Sequence, residues 1–391
     1  MSTFDVVICG GAAIGSSTAY HLAANPDFTG SVAVVERDPT YANCSTARSA
    51  GAIRQQFSTP ENIRMSLFGR RFIADIGTRL AVADVAPDIG FKPNPFLFLA
   101  DAKGLEVLRH NLEIQLAEGA QVALLGPPEL QARFPWLNVD DLAGGALGLA
   151  NEGWMDPYAL LMALRAKAID LGVRYLRDTV TGLDRDGDRI TAVALAGGDR
   201  LACGHCVNAA GPGAGRLAAL AGVDLPVEPR KRIVNVFDCR QRIENCPLLI
   251  DPTGVYCRPE GRQYLTGIAP AEADDPPCDD FEIDYHWFEE ICWPTLAHRI
   301  PAFAAIKQTG AWAGHYDHNR LDQNAIIGRH PEVANFYFGN GHSGHGLQHS
   351  PAVGNALTEL ITYGEYRAID LTRFGYERIL TGTPIKEVNV V

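Results

Sequence analysis

The chain has 391 residues, 47% of them hydrophobic and 20% charged, with 34 Lys and Arg against 46 Asp and Glu, a net −12. At ~100–200 residues per domain this length holds two domains, and it buries enough surface to need neither disulfides nor a structural metal. The acidic balance argues against nucleic-acid binding and against docking on anionic lipid, both of which need a basic face.

The first element begins near the start of the chain. Asp5-Val6-Val7-Ile8-Cys9 is an apolar run of the kind buried on both faces in a parallel sheet. No basic segment followed by an apolar one precedes it, so a cleaved secretory signal is not expected. It runs into Gly10-Gly11-Ala12-Ala13-Ile14-Gly15, then a helical pattern through Tyr20 and Leu22, then a second apolar run from Val32 to Val35 that ends at Glu36. This is a βαβ unit with a glycine-rich first turn. Gly10 permits the tight turn, Gly15 lets the helix lie close to the strand, and the amides at the helix start face a pyrophosphate. Glu36 places a carboxylate at the second strand end, where ribose hydroxyls can donate to it. Ala12 fills the middle glycine slot and adds a methyl where backbone approaches phosphate. Ile14 and Arg37 are placed beside the same dinucleotide, which this unit alone leaves as NAD or FAD.

The stretch Ser45-Thr46-Ala47-Arg48-Ser49-Ala50-Gly51-Ala52-Ile53-Arg54 follows the acidic strand end. Prolines then punctuate residues 81–144 around one helix, with Leu105, Leu108, Leu112 and Leu116 on one face and a stop at Gly119. Asp156-Pro157 reads as the N-cap and first turn of another helix. Alternating strands, one entered at Val180, lead to Val207-Asn208-Ala209-Ala210-Gly211. Aromatic-rich strands fill 226–324. Near the end, Asn335–Phe338 reads as a strand, Gly341-His342-Ser343-Gly344-His345-Gly346 as a loop, and Ser350-Pro351 as the N-cap and first residue of a helix that stops at Gly364. Nine cysteines, an odd number without repeated spacing, fit a reducing, cytoplasmic setting. No apolar run is long enough to span a bilayer. The Cys203/Cys206, His315/His318 and His342/His345 spacings occur among metal ligands. Without a second CxxC or an HExxH helix, however, no metal is expected.

In their order and spacing, the glycine-rich turn, the Ser45–Arg54 stretch, the VNAAG segment and the GHSGHG loop resemble the D-amino-acid-oxidase-like (DAO) family of FAD-dependent amine oxidoreductases, which includes sarcosine oxidase, dimethylglycine dehydrogenase and D-arginine dehydrogenase. Trp312-Ala313-Gly314-His315-Tyr316-Asp317 and the run through Gln348 are similar to the branch of FAD-dependent oxidoreductase domain-containing protein 1. The resemblance implies an α/β fold with a Rossmann-like FAD-binding domain and an interleaved α+β substrate domain built on an antiparallel sheet. The expected division is 1–80, 145–225 and 325–391 for FAD, and 81–144 and 226–324 for substrate.

The resemblance also implies roles. Ser45, Arg48 and Ser49 would contact the FAD pyrophosphate and flavin. Val180, Ala210 and Gly211 would line the cofactor. Gly341, Gly344, His345, Gly346, Leu347 and Gln348 would direct backbone amides at the flavin, where reduction deposits negative charge. Arg54 would pair with a substrate carboxylate through two parallel hydrogen bonds; read otherwise, it is an ordinary ion pair. Arg232 and Tyr256 match further carboxylate contacts, with a solvated basic run and a core strand tyrosine as their plainer readings. Gln348 stands where some relatives carry a lysine clamp. His315 is a candidate to accept a hydrogen bond from the substrate amine. Gly314 and Arg48 occupy the positions of covalent flavin linkage in some relatives, so FAD is expected to be non-covalent.

The implied function is oxidation of an amino acid or secondary amine, such as an N-substituted glycine, an iminodicarboxylate or a D-amino acid, by hydride transfer to flavin N5. The imine formed is hydrolysed by water. Oxygen, a quinone or an electron-transfer protein would be the acceptor. The alternatives are a flavin-containing assembly or interaction protein, and one subunit of a multi-component dehydrogenase.

Overall fold

The computed structural model describes residues 2–388. Strand β1 (Ser2–Cys9), helix α1 (Ala13–Ala24) and strand β2 (Val32–Glu36) form the expected βαβ unit, with β1 and β2 parallel. Pleating divides β1 between two cores. Val6 and Ile8 pack with α1 and the long helix Gly346–Tyr363, whereas Val7 and Cys9 pack on the opposite side with Leu217 and Phe338. The sheet continues from β1 to the parallel strand Arg200–Asn208, which is joined in turn by Phe336–Asn340, and from β2 to Arg174–Arg177. The C-terminal ends of these strands, Cys9, Glu36, Asn208 and Asn340, lie along one edge.

A second eight-stranded sheet runs through Ile306–Asn319, Val227–Cys239, Gln263–Gly267, Tyr256–Glu260, Leu248–Ile250, Phe96–Ala100, Gly144–Gly148 and Val122–Leu125. Its pairings are antiparallel except that of Leu248–Ile250 with Phe96–Ala100. Strand Gly144–Gly148, at the division expected near residue 145, pairs with Phe96–Ala100 in this sheet. Between the two sheets, the short strand β3 (Ala52–Ile53) pairs with Gly153–Trp154 and leads into helix α2 (Pro60–Ala74).

Two local expectations need correction. Helix Ala102–Ala117 buries Leu108 and half-buries Leu105 and Leu112, but Leu116 is 53% exposed. The helix expected to begin at Ser350-Pro351 begins one turn earlier, at Gly346, and carries Pro351 inside it. Pro351 lacks the N–H that would bond the Leu347 carbonyl four residues back. The Ser350 hydroxyl takes its place, donating to that carbonyl at 2.8 Å, so the proline orphans no acceptor there. The Asp156-Pro157 start stands, with the Asp156 carboxylate accepting from the amides of Tyr158 and Ala159. No helix among the described residues is long and apolar enough to cross a membrane.

Candidate active site

The first half of the site is the sheet edge. The Gly10 amide donates to Val35 O, which ties the turn to β2. A Cβ at Gly15 would lie 1.8 Å from Gly10 O, and one at Gly10 would lie 2.3 Å from Ala209 O. Helix and strands therefore meet backbone to backbone. Ala12 sits at φ −72° and ψ −162°, extended backbone that any residue adopts, so its methyl carries no conformational cost. The N-cap residues of α1 and of helix Gly346–Tyr363, Ala12 and His345, supply no side-chain cap, and the positive end of a helix favours an anion or a developing negative charge.

Glu36 stands where expected. Its carboxylate accepts from the amides of Gly11 (2.8 Å) and Asp38 (2.9 Å), and lone pairs remain for ribose hydroxyls. Thr46, which the motif reading passed over, receives the Ala13 amide at 3.3 Å on Oγ1 and so docks the following loop on the start of α1. The buried Tyr41 hydroxyl, the side-chain amide of Asn340 and both ring nitrogens of His342 have no hydrogen-bond partner among the described residues. Unsatisfied buried polar groups of this kind at a glycine-lined edge fit a polar dinucleotide. FAD thus suits the residues present, with α1 for its phosphates and Glu36 for its ribose.

The other loop candidates take tethering roles. Ser45 Oγ donates to His315 O at 2.6 Å, and Ser49 Oγ accepts from the Gly51 amide. The Arg48 guanidinium donates to Ala42 O, Ala313 O and Asn43 Oδ1 and stacks on Phe281, fastening the loop to strand Ile306–Asn319. Arg37 is exposed. Val180 begins an edge strand, and Ala210 and Gly211 follow the central strand Arg200–Asn208.

The second half centres on Arg54, which is 4% exposed just beyond β3. Its backbone amide donates to Gln348 Oε1 (2.8 Å), and its guanidinium donates to Gln56 O (2.6 Å) and to His345 Nε2 (3.1 Å) while stacking 4.2 Å over Phe57 and 5.2 Å over Phe98. A guanidinium has no acceptor, so His345 Nε2 accepts and the ring is neutral with its proton on Nδ1. Burial and the adjacent Arg54 hold His345 well below the usual histidine range. Burial pulls Arg54 itself down to about 10, opposed by the negative charge of Glu387 and Glu152. Gln348 therefore positions Arg54 through its backbone, and helix Gly346–Tyr363 both offers its N-terminus and holds the arginine.

Tyr316 packs against the glycine-rich loop. A Cβ on Gly344 would sit 2.6 Å from its ring, so the glycine there gives the phenol its place. Burial raises the Tyr316 and Tyr256 phenols, Arg54 and Arg232 pull Tyr316 the other way, and both remain protonated hydrogen-bond donors at neutral pH. His315, the neighbouring residue, points to the opposite face of the strand, its ring packed 4.5 Å edge-on to Phe281. Arg232 lies 4.9 Å over the Tyr316 ring, but its guanidinium is held in two 2.8 Å hydrogen bonds by buried Asp275. Its charge is thus paired within the protein. Sequence reasoning missed Phe57, Phe98 and Glu152. Glu152 is 4% exposed and receives the amides of Gln55 and Phe96.

Comparison with known proteins identifies the family. The model of the DAO family, FAD dependent oxidoreductase, matches residues 5–360. FAD-dependent oxidoreductase domain-containing protein 1 of Xenopus laevis is 42% identical, over 99% of this chain and 85% of that protein. Sarcosine oxidase subunit beta of Arthrobacter sp is 26% identical, over 98% and 93%. Among solved structures, L-proline dehydrogenase from P. horikoshii superposes with a TM-score of 0.87 at 26% identity, covering 98% of this chain and all of that one.

Proposed function

The chain belongs to the DAO family of FAD-dependent oxidoreductases, and from that premise we propose that it oxidises the CH–NH bond of an amino acid or secondary amine that carries a carboxylate. The observation that carries this reading is Arg54, a buried guanidinium fixed by His345 and Gln348 of the very helix whose N-terminus faces the cofactor edge. The relatives named for sarcosine and L-proline point the same way, because both compounds are secondary amines with a carboxylate.

Bound FAD supplies a two-electron oxidant. Arg54 binds the carboxylate, and the Tyr256 and Tyr316 phenols donate to it or to the amine. Orientation of the reacting C–H bond then supplies most of the acceleration, with no strong side-chain base required once the amine is neutral. The oxidised product is an imine, which water hydrolyses. With glycine at 314 and the Arg48 side chain engaged by protein oxygens, FAD is held without a covalent bond.

The test is anaerobic mixing of the yellow holoprotein with a panel of N-alkyl amino acids, D-amino acids and iminodicarboxylates, followed by oxygen. Bleaching by one class names the donor, and the rate of recovery separates direct use of oxygen from use of a quinone or protein acceptor. A flavin that no member of the panel bleaches refutes the proposal. Similarity to a sarcosine oxidase subunit supports a second reading, one subunit of a multi-component dehydrogenase. Full turnover by a monomer isolated from the native source refutes that one.

A further inference from the structure

The family match ends at residue 360, and the later helix Glu377–Thr381 brings Arg378 onto Asp322, in the loop after strand Ile306–Asn319. The pair is buried, with the Asp322 side chain 0% and the Arg378 side chain 6% exposed. Arg378 Nε donates to Asp322 Oδ2 (2.9 Å). Its terminal nitrogens donate to Asp322 Oδ1 (3.3 Å) and to the carbonyls of Asn324 (2.9 Å), Ala325 (2.8 Å), Phe374 (2.7 Å) and Gly375 (3.1 Å). The Ile385 amide adds a bond to Asp322 Oδ2 at 2.9 Å.

From Asp322 the bonds lead to the glycine-rich loop. Asp322 Oδ1 accepts from Asn319 Nδ2 (2.8 Å), which also donates to Asn324 O (2.7 Å). The Asn319 backbone amide donates to Ser343 Oγ (3.1 Å), and its side chain backs Gly341, where an added Cβ would lie 3.1 Å from Asn319 Cβ. Ser343 donates from Oγ to Gly341 O (3.3 Å) and from its amide to Asp317 O (3.2 Å). It is the first central residue of a turn closed by the His345 amide on His342 O, and both central residues, Ser343 (φ 49°) and Gly344 (φ 103°), are left-handed. Glycine adopts that conformation without cost, whereas serine keeps it only where its surroundings fix it. The turn runs directly into helix Gly346–Tyr363.

We propose that the Arg378–Asp322 ion pair is a positioning clamp for this turn, so that the segment beyond residue 360 sets how strongly the site favours reduced over oxidised FAD. The inference rests on the reading that helix Gly346–Tyr363 directs its N-terminus at the flavin. Amides stabilise the charge of a reduced flavin only as far as they are held in place before it forms. Asn319 transmits the hold, since its side chain is fixed by Asp322 and its backbone amide fixes Ser343. A lysine at 378 keeps the charge but lacks the fork that reaches Asp322 and four carbonyls at once. The Asp322 loop then loosens, Ser343 loses its fixed neighbour, and the amides that follow it are less well aimed.

The experiment measures the midpoint potential of bound FAD in the full-length holoprotein by reductive titration against a reference dye, for Arg378→Lys, Ser343→Ala, the double variant and Arg299→Lys. Arg299 is the control, because it forms an equally buried ion pair with Asp251 (2.7 Å) in the other sheet. The potential reports the ratio of affinities for the two flavin forms, and a general loss of stability weakens both alike. The expected result is a ratio about three- to tenfold less favourable to reduced FAD in R378K and in S343A, a fall of about 15–30 mV for two electrons. The double variant should fall no further than the larger single change, because both act along one route, and R299K should melt earlier at an unchanged potential. An unchanged potential in R378K with S343A shifted overturns the clamp and leaves the flavin-facing helix standing. No shift in either overturns both readings. Additive shifts, or an equal shift in R299K, overturn the route through Ser343. Should R378K not fold, Asp322→Asn takes its place, and failure of both to fold makes the pair a folding element and overturns the proposal.

Discussion

Replacing Gly15 by alanine tests the cofactor edge most directly. Its Cβ would sit 1.8 Å from Gly10 O, whereas real contacts stay beyond 3.0 Å, and the obstacle is backbone that no side-chain rotation relieves. Helix α1 has to back away from β1 by about 1 Å or the turn has to reshape, and overpacking of this kind costs about 1–3 kcal/mol. Either movement displaces the amides at the start of α1 from the phosphates, so that cost falls largely on the bound state. At 1.4 kcal/mol per tenfold, FAD affinity should fall by roughly 10- to 100-fold. Gly213→Ala is the control, since nothing lies within 4 Å of a Cβ there and its φ is not in the left-handed region. The assay is fluorescence titration of FAD into deflavinated protein, with far-ultraviolet circular dichroism to verify folding. A folded G15A protein that binds FAD as tightly as G213A refutes the placement of the phosphates at α1.

Further outcomes follow from the same contacts. Arg54→Lys loses the fork that reaches Gln56 O and His345 together, and acetate binding should weaken about 10- to 100-fold with FAD content unchanged; unchanged acetate affinity refutes Arg54 as the clamp. Glu152 is buried, and desolvation pushes its carboxyl up to about 7 against the amides that bond it. Its folded pKa lies above the unfolded value, so its stabilising contribution is complete below about 4.5 and lost as pH rises through 7, on the order of 3 kcal/mol in all. The melting temperature should fall across that window, and a profile as steep in Glu152→Gln refutes the assignment. Acid precipitation should release FAD into the supernatant, and flavin retained on the pellet refutes non-covalent binding.

The half of the site that holds the cofactor was legible because its signals are local. Gly10, Gly15 and Glu36 sit within one βαβ unit, and the chemistry that requires them is written in consecutive residues. The substrate half is built from contacts hundreds of residues apart. Arg48 reaches Ala313, and Glu387 reaches Ser58, and neither pairing leaves a mark on the residues around either partner. Asp275, just after the short turn Glu272–Asp274, pairs with Arg232 from 43 residues away. Even a local reading fails where a neighbouring side chain compensates, as at Pro351, where the Ser350 hydroxyl repairs within the same helix what the proline removes.

His315 and Tyr316 show where the limit lies. They are adjacent in one motif, and alternation along a strand guarantees that they face opposite sides. The motif does not say what each side meets. That is settled by the pairing of Ile306–Asn319 with Val227–Cys239, in which Gly314 lies opposite Arg232 and Tyr316 opposite Arg230. A slip of one residue in that register would exchange the two side chains. The observed register turns the phenol toward Gly344 and leaves the imidazole against Phe281. Which side chain this strand presents to the glycine-rich loop is therefore a property of sheet pairing as much as of the residues themselves.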